Sequence, residues 1–459
     1  MRKIFLFLLI ICLFSHLLAS DEFLSTCIDI AIQRNKKLIA KEEEIVLAKR
    51  QTLVTTRSFL PNVYLQRKYS RGKTLTEEYQ AEDLGLKLYQ PLYDGGRLSA
   101  SHRYYSLALQ VAKLDYTKLK EEIIYKIKLA YYEYLSSIVE VSEIEEMFNE
   151  IDVYYRKLEN EFTAKAISEL ELEEGKIFKQ KVDNMYQKAK KGKILAEEKL
   201  IKLIGIKSLD DIIFPVPSGI FETVPKEIDF DLAVIKKLLV TNNVDLKKLD
   251  LNKDMAKARS KMAVGKIHPK FYLEGFYGKS GEAFVKEPLN LSTVYSGMLR
   301  LSWLLGGSSL ESSYQKDKAI PREITDVSVR TENTVLDTRL GLFDDMKYFV
   351  EKKETDVLKF SSEAEYIEAK NVLLLESEKF YNEYYYSLLD ARVNSSDLNL
   401  KKWRLDVLKK RNILYEVSTI EVMDGIFKVS EAVISYTRAV LQNYTAVTEL
   451  EKLLLISLR

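Results

Sequence analysis

The chain has 459 residues, 46% of them hydrophobic, and its 70 basic and 68 acidic side chains leave a net charge of +2. This balance offers neither the basic patch of a nucleic-acid-binding protein nor an acidic tail, and it is typical of solvated helix faces. We therefore expect no nucleic acid among the partners.

The first 20 residues have the pattern of a secretory signal peptide. A basic start at residues 2–3 precedes an apolar run at 4–18, and small residues follow at 19–20. The run of about 15 residues is shorter than the roughly 20 that cross a bilayer, so it predicts an exported chain and not an N-terminal membrane anchor. We assign residues 1–20 to the signal peptide.

Cys27 is the only cysteine that the exported chain would keep, because Cys12 lies in the signal peptide. No disulfide can then form within the chain. The residues before Cys27 loosely resemble a lipoprotein processing box, so lipidation of Cys27 is an alternative to an ordinary position on the first helix.

Four segments with strand-like alternation come in two hairpins, at about 62–93 and about 270–304. Each segment spans about ten residues, the length of a tilted transmembrane strand, although any one of them alone could belong to a small soluble sheet. Arg67 is discordant, because the alternation places it on the apolar face. Four matched strands in an exported chain predict a sheet in a membrane.

Four strands cannot close a barrel on their own, and an open edge in lipid leaves backbone groups unpaired. The smallest closed barrels need about eight strands, so either a dimer or a trimer satisfies closure by count. The chain must therefore assemble with copies of itself.

The remaining sequence predicts long helices with coiled-coil spacing. Between Ile127 and Phe162 the apolar residues recur in steps of three and four, as knobs-into-holes packing requires. The helical pattern from Leu98 to a turn near Lys165 covers about 68 residues, or ~100 Å. Flanking helices of about 36 residues, stacked end to end, could pair with it and form the wall of a tube.

The second half of the chain repeats the first. Asn35 and Pro61 recur as Asn243 and Pro269, at a constant shift of about 208 positions. We therefore predict three segments after the signal peptide, with a linker rich in proline and glycine between two repeats: 21–214, 215–230 and 231–459.

The distal turns of the helical hairpins also recur, near 164–168 and 417–421, at a shift of about 253 positions. Each turn carries a capping box, which satisfies free amides at a helix start. The predicted pairs are Ser168 with Glu171, and Ser418 with Glu421.

The larger shift at the distal turns exposes an insertion of about 42 residues within about 308–380. Three roles are open for it: a longer helical wall, an extra hairpin around the waist of the tube, or a surface for an accessory protein.

These motifs resemble the TolC-type outer membrane efflux protein family over essentially the whole mature chain. The most recognisable signature is Pro-Leu-Tyr-Asp-Gly-Gly at 91–96, which turns a strand into the long helix, and the second copy keeps only its Gly-Gly. Glycine suits a sharp exit from a barrel. The strand-to-helix turns implied by the resemblance are Asp94, Gly95, Gly96, Gly306 and Gly307. Family members usually have glycine in the distal turns, where this chain has Lys165 and Ser418.

The resemblance implies a mainly α fold with a small transmembrane β part. A long α-helical coiled-coil barrel would continue into a trimeric 12-stranded β-barrel with four strands per chain, built from two internal structural repeats. The implied function is a passive exit channel of a tripartite efflux or type I secretion system. It would lie in the outer membrane with its helical part in the periplasm.

The resemblance also implies partners. A homotrimer in outer membrane lipid would be opened at its periplasmic tip by a periplasmic adaptor (membrane fusion) protein and an inner membrane transporter of the resistance-nodulation-division, ABC or major facilitator type. The distal turns are the expected docking surface for the adaptor. Its candidate residues are Ala164, Lys165, Ala166, Ile167, Ser168, Val417, Ser418, Thr419 and Ile420.

Four carboxylates within a turn of these tips are candidates for a periplasmic gate: Glu169, Glu171, Glu421 and Asp424. A ring of carboxylates repeated by symmetry would attract cations and narrow the entrance. The alternative is that they only suit the dipole at the start of each helix.

No residue cluster in the sequence looks catalytic. His102 and His268 are isolated from other metal-ligating residue types, and the two Gly-Gly pairs lack the spacing and lysine of a phosphate-binding loop. We therefore expect no enzyme activity, no cofactor and no metal. A soluble periplasmic coiled-coil scaffold or adhesin is the alternative function.

Overall fold

The computed structural model describes residues 22–209, 221, 223–318 and 332–458. The predicted signal peptide and part of the predicted linker lie outside the described residues.

The chain alternates helices and strands in two similar halves. The first half contains α1 (residues 22–34), α2 (Lys36–Arg57), β1 (Asn62–Lys73), β2 (Glu78–Asp94), α3 (Arg97–Thr163) and α4 (Glu169–Ile204). The second half contains α5 (Leu232–Asn242), α6 (Val244–Val264), a short 3₁₀ helix (Gly265–Ile267), β3 (Lys270–Phe284), β4 (Ser292–Leu305), β5 (Ser308–Lys318), β6 (Asn333–Gly341), α7 (Lys347–Ile413) and α8 (Thr419–Leu454). Helices α3 and α7 each have 67 residues, and α4 and α8 each have 36.

The chain divides into two compact units. Unit 1 comprises Met1–Ala40, Tyr116–Val244 and Ala369–Arg459, and unit 2 comprises Lys41–Asp115 and Asp245–Glu368. The described part of unit 1 is helical, whereas unit 2 holds the sheet. No helix within the described ranges is both long and apolar enough to cross a membrane.

The apolar stripe predicted on the first long helix forms the core of unit 1. Ile127, Tyr131, Ile144, Ile151 and Leu158 are all at most 3% exposed. They pack mainly against α8, whose positions are largely buried, and against α1 and α4. Complete burial of such a side chain stabilises the fold by roughly 1.5–3 kcal/mol, so this stripe is a main source of stability.

Cys27 belongs to this core. Its side chain is fully buried (0% exposed), and burial raises the pKa of its thiol to about 12. Phe23, four residues earlier, stacks on Tyr131 with 5.8 Å between ring centroids. Cys27 therefore occupies a buried position on α1, packed among core side chains.

The sheet has six antiparallel strands in the order β1 to β6, and not the four that the sequence predicts. All four predicted strands are present and longer than expected. The two extra strands, β5 and β6, lie in the predicted insertion, so this region extends the sheet by a third hairpin. They escaped prediction because serine and threonine, at Ser312 and Thr338, interrupt the apolar alternation.

The two Gly-Gly pairs make different turns. Gly95 and Gly96 connect β2 to α3 as predicted, with φ of +73° and +80°, and Asp94 Oδ2 accepts a hydrogen bond from the Leu98 amide at 2.8 Å. The prediction for Gly306 and Gly307 is wrong: they join β4 to β5 in a two-residue hairpin turn.

Both hairpin glycines have positive φ, +59° and +88°, as a type I′ turn requires. The same dipeptide therefore serves a strand-to-helix turn in one half and a strand-to-strand turn in the other. In the second half the chain enters its long helix after β6 instead.

We predict that Cys27 resists alkylation in the folded protein, because its thiol is buried and its pKa is raised. Iodoacetamide at pH 8 should leave native protein unmodified and should label the same protein fully in urea, as measured by intact mass. Rapid labelling of the native protein would contradict this assignment.

We predict that the hairpin turn tolerates Gly306→Asn but not Gly307→Val. Asparagine suits the first position of a type I′ turn, and no atom lies within 4 Å of the added Cβ. At Gly307 an added Cβ would lie 2.8 Å from Met346 Sδ, and a left-handed β-branched residue costs about 1–2 kcal/mol. Thermal unfolding of both variants in detergent tests this, and an equal loss in both would refute it.

Candidate functional sites on the sheet and at the helical tips

One face of the sheet is apolar and exposed. The register places matching residues of neighbouring strands on the same side, and their large apolar side chains form a band. The exposed members of this apolar band are Val63, Leu65, Leu84, Leu86, Leu273, Tyr277, Tyr295, Leu299, Trp303, Tyr314, Leu336 and Leu340. Leu65 is 78% exposed and Leu336 is 71% exposed. So large an apolar surface is unusual in contact with water.

The opposite face of the sheet is largely polar and charged. Its residues include Lys68, Asp83, Lys87, Glu274, Arg300, Glu311, Gln315, Asp337 and Arg339. Arg300 and Glu274 form an ion pair at 3.5 Å. The sheet thus has one mainly apolar face and one mainly polar face.

Arg67 lies on the apolar side, as its alternation predicted. Its Nε lies 2.7 Å from Glu82 Oε1 on the adjacent strand, and Arg71 pairs with Glu78 at 2.7 Å further along the hairpin. Arg67 lies opposite Leu84, the leucine of the band nearest the hairpin turn, and its partner Glu82 and the second pair lie beyond that leucine. Arg67 is therefore a border residue of this band.

The first distal tip joins α3 to α4 through a left-handed residue. Lys165 has φ +56°, its amide donates to Phe162 O at 2.8 Å, and the Ala166 amide donates to Glu161 O at 2.9 Å. This is the Schellman pattern, in which glycine is the usual left-handed residue. Lysine occupies that position here at a conformational cost.

The second distal tip has the same geometry. Tyr415 has φ +56°, its amide donates to Asn412 O at 3.1 Å, and the Glu416 amide donates to Arg411 O at 3.0 Å. Tyr415, and not Ser418, is therefore the counterpart of Lys165, so the sequence alignment of the tips was off by three residues.

The corrected shift between the tips is 250 positions. Ser168 corresponds to Ser418, and Glu171 corresponds to Glu421. Both serines have extended backbone at the helix start, and each side chain accepts a hydrogen bond from the amide three residues later. The two tips thus have the same backbone geometry and the same capping serine, but different residue types at the left-handed position.

The candidate gate carboxylate Glu171 also caps its helix, whereas Glu421 contacts only the side chain of its N-cap serine. Glu171 Oε2 accepts hydrogen bonds from the Ser168 amide at 2.7 Å and its hydroxyl at 2.8 Å, so the predicted capping box is confirmed there. These hydrogen bonds hold the pKa of Glu171 below its usual value. At the second tip, Ser418 Oγ accepts from the Glu421 amide at 3.2 Å and donates to Glu421 Oε1 at 3.4 Å, so the serine side of the predicted box is present there.

The other two candidate carboxylates differ in their surroundings. Glu169 is exposed in the first turn of α4. Asp424 is half-buried on α8 and pairs with Lys428 one turn later at 2.5 Å. Within this single chain, the four candidates line two adjacent helix starts and do not form one cluster.

Polar contacts that the sequence did not reveal tie the two tips together. The buried hydroxyl of Thr419 donates to both oxygens of Glu161 at 3.0 Å. Lys157 Nζ donates to Asn412 Oδ1 at 2.7 Å, and Asn412 Nδ2 donates to Val417 O at 2.9 Å. The bond from Asn412 to Val417 is local. The partners in the other two contacts are more than 250 positions apart in the sequence, so no sequence motif could pair them.

A glycine in each hairpin permits close helix packing just behind the tips. A Cβ on Gly175 would lie 2.4 Å from Leu158 Cδ2, and one on Gly425 would lie 3.0 Å from Leu408 Cδ1. Gly175 and Gly425 share the 250-position shift, and so do the two leucines. The spacing of the helices at both tips therefore depends on a missing side chain.

Exposed apolar residues surround the second tip. Ile413, Leu414 and Tyr415 are 74%, 67% and 89% exposed. At the first tip, Leu170 is also exposed. Apolar groups in such a position suit contact with another protein. Among the described residues, no group of three or more histidine, cysteine or acidic residues could hold a metal ion.

Several solved outer membrane channels have a similar structure. The outer-membrane channel OprN matches with a TM-score of 0.72 and 12% identity, over 95% of this chain and 90% of that chain. The CmeC outer membrane channel of Campylobacter jejuni matches with 0.67 and 16%, over 94% and 85%. The open-state MtrE outer membrane channel of Neisseria gonorrhoeae matches with 0.70 and 14%, over 95% and 89%.

No protein-family model and no curated protein matches the sequence. The chain nevertheless has the fold of these channels, mainly α with a smaller β part, which is the fold that the resemblance implied.

We predict that Lys165→Gly and Tyr415→Gly each stabilise the protein by about 1 kcal/mol, because glycine adopts a positive φ without steric cost. The measurement is the free energy of unfolding in urea. Ala164→Gly is the matched control, since it adds the flexibility of glycine beside the left-handed position and should not stabilise. Destabilisation by the first two variants would refute the assignment.

Proposed function

We propose that this chain is one protomer of a passive exit channel in the outer membrane, acting in a tripartite efflux or type I secretion system. The observation that carries the proposal is the two-faced sheet. Its apolar band suits lipid, and its polar face suits a water-filled lumen. The channel fold and the predicted signal peptide support the same reading.

Assembly with copies of the same chain follows from the sheet. In the described residues its outer strands, β1 and β6, have one neighbour each, and an unpaired strand edge in lipid costs several kcal/mol per backbone group. Unit 2 also exposes apolar residues on α2 and α7, among them Leu47, Val54, Phe349, Val357 and Phe360. We propose a homotrimer in which neighbouring copies cover these residues.

The helical part would lie in the periplasm. We propose that Ala164 to Ser168 and Val417 to Ile420 contact a periplasmic adaptor, and that the exposed residues 413–415 belong to the same docking surface. An inner membrane transporter would supply the energy. The channel itself would carry out no reaction.

We propose that the carboxylates at the starts of α4 and α8 narrow the periplasmic entrance. Three copies of Glu421 and Asp424 would form a ring of negative charge around the axis. Glu421 is exposed and its Oε1 accepts a hydrogen bond from Ser418 Oγ at 3.4 Å, whereas Asp424 pairs with Lys428. Such a ring would make the closed channel poorly conducting and cation-selective.

A soluble periplasmic scaffold is not favoured. Such a protein has no reason to expose an apolar band on a six-stranded sheet, where water contact would promote aggregation.

The test of the proposal is detergent extraction of the protein from outer membranes, followed by mass measurement of the complex and recording in planar bilayers. A trimer with small, cation-selective conductance is expected. A monomer recovered from the soluble periplasmic fraction, without conductance, would overturn the proposal.

We predict that Glu421→Gln combined with Asp424→Asn raises single-channel conductance and weakens cation selectivity, because the ring loses its negative charge. Glu198→Gln is the matched control, since Glu198 is an exposed carboxylate of α4 that pairs with Lys202 away from the tips. Planar bilayer recording measures both properties. Unchanged conductance in the double variant, or an equal change in the control, would argue against this gate.

A further inference from the structure

The third hairpin, β5 and β6, makes β6 and not β4 the outer strand of the sheet. Strand β5 pairs with β4 from Leu305↔Ser308 to Tyr295↔Lys318, and β6 pairs with β5 from Ser309↔Gly341 to Asp317↔Asn333. The pairing is continuous, so the hairpin extends the same sheet. The residues between the two strands, 319–331, lie outside the described part of the chain.

The apolar band continues onto this hairpin. Leu310 and Leu340 follow Trp303 on one rung of the sheet, and Tyr314 and Leu336 follow Leu299 on another. The residues that alternate with them on the hairpin are mainly charged or polar: Ser309, Glu311, Ser313, Gln315, Asp337 and Arg339. Each face of the third hairpin therefore matches the corresponding face of the first two.

The band also shifts steadily along the strands as it crosses the sheet. At the β1 and β2 side it centres on the rung of Leu65 and Leu86, which reaches Tyr295 on β4. At the β5 and β6 side it centres on the rung of Ser312 and Thr338, which reaches Leu301 on β4. Tyr295 and Leu301 are six residues apart.

This shift equals the stagger of a tilted barrel wall. Six residues correspond to roughly 20 Å along a strand, and four to five strand spacings correspond to roughly 19–24 Å across the sheet. The band is thus inclined to the rungs by about 40–45°, close to the strand tilt of transmembrane barrels. One bilayer plane therefore fits all six strands.

Strand direction allows closure through the third hairpin. Because six antiparallel strands separate the two edges, β1 and β6 run in opposite directions. The β6 strand of one copy can then pair antiparallel with the β1 strand of the next, with Thr338 and Leu65 both at the centre of the band. Pairing at this joint gives hydrogen-bond partners to the backbone groups of both outer strands, which lipid cannot provide.

We propose that the outer membrane barrel contains eighteen strands, six from each of three copies, joined by β6 of one copy and β1 of the next. This rests on the proposed trimeric channel. Barrel diameter grows roughly linearly with strand number, so the barrel would be about 1.5 times as wide as a 12-stranded one. Its exit would suit bulkier solutes than a barrel of four strands per copy.

Cross-linking between copies tests which strand lies at the joint. In a Cys27→Ser background, Leu65→Cys is combined either with Thr338→Cys on β6 or with Leu299→Cys on β4, and membranes are treated with a short bismaleimide. Within one copy the first pair lies about five strand spacings apart, or ~24 Å, and the second about three, or ~14 Å, so a short reagent links only different copies.

The expected result is conversion of the monomer to a three-chain product by the Leu65 and Thr338 pair, without a product from the Leu65 and Leu299 pair. A product from the latter pair would overturn the proposal, since β4 would then be the outer strand. A ladder that ends at two chains would also overturn it. So would an intact trimer that neither pair links.

Fluorescence quenching by brominated lipid separates this proposal from the proposed function. Trp303→Phe and Trp403→Phe remove the two native tryptophans, and a single tryptophan is introduced by Leu336→Trp, by its neighbour Val335→Trp as control, or by Leu86→Trp as reference. Strong quenching is expected for Leu336→Trp and Leu86→Trp, and a much smaller loss of fluorescence for Val335→Trp.

Quenching only at the reference position would leave the channel proposal intact and overturn the eighteen-stranded barrel. The absence of quenching at both Leu86→Trp and Leu336→Trp would instead refute the membrane location of the whole sheet.

Discussion

Backbone hydrogen bonding at the strand edges is the constraint on which the rest of the structure depends. In hydrocarbon no water is present to pair with a free amide or carbonyl, so a strand is stable there only with a neighbour on each side. Five strand pairings within the chain satisfy the inner strand edges. Within the described residues, the outer edges of β1 and β6 have no partner strand. In the proposed channel, the need for other copies follows from this requirement. The charged pair of Arg67 and Glu82 marks the border of the apolar band.

The helical unit depends on a different constraint: its long helices must pack closely over many turns. Helix α8 buries most of its positions, and polar residues among them, such as Ser430 and Asn443, are satisfied by hydrogen bonds to neighbouring groups. Near the tips the approach of the paired helices is set by Gly175 and Gly425, where there is no room for a Cβ without movement of a leucine. Repetition of this arrangement in both hairpins gives the two tips the same geometry although their sequences differ.

Sequence patterns predicted the regular parts of the fold and missed those that depend on backbone torsion or distant partners. The alternating leucines at 84, 86 and 88 were sufficient for the second strand. The third hairpin carries Ser312 and Thr338 on its apolar face, which weakens the same signal. The prediction for Gly306 and Gly307 was wrong because Gly-Gly permits positive φ both in a strand-to-helix turn and in a hairpin turn. The distal tips were aligned by residue similarity, whereas their true correspondence lies in the φ angles of Lys165 and Tyr415. The bond between Thr419 and Glu161 has no local signature at all.

The left-handed conformations of Lys165 and Tyr415 have a consequence for dynamics. A residue with a Cβ held in this region stores about 1–2 kcal/mol that is released when the turn unwinds. Local opening therefore requires less free energy at the two hairpin ends than in the tightly packed middle of the helices. Frayed states are accordingly more populated at these ends than in the middle of the helices. The two left-handed residues thus make the hairpin turns the places where the paired helices unwind most readily.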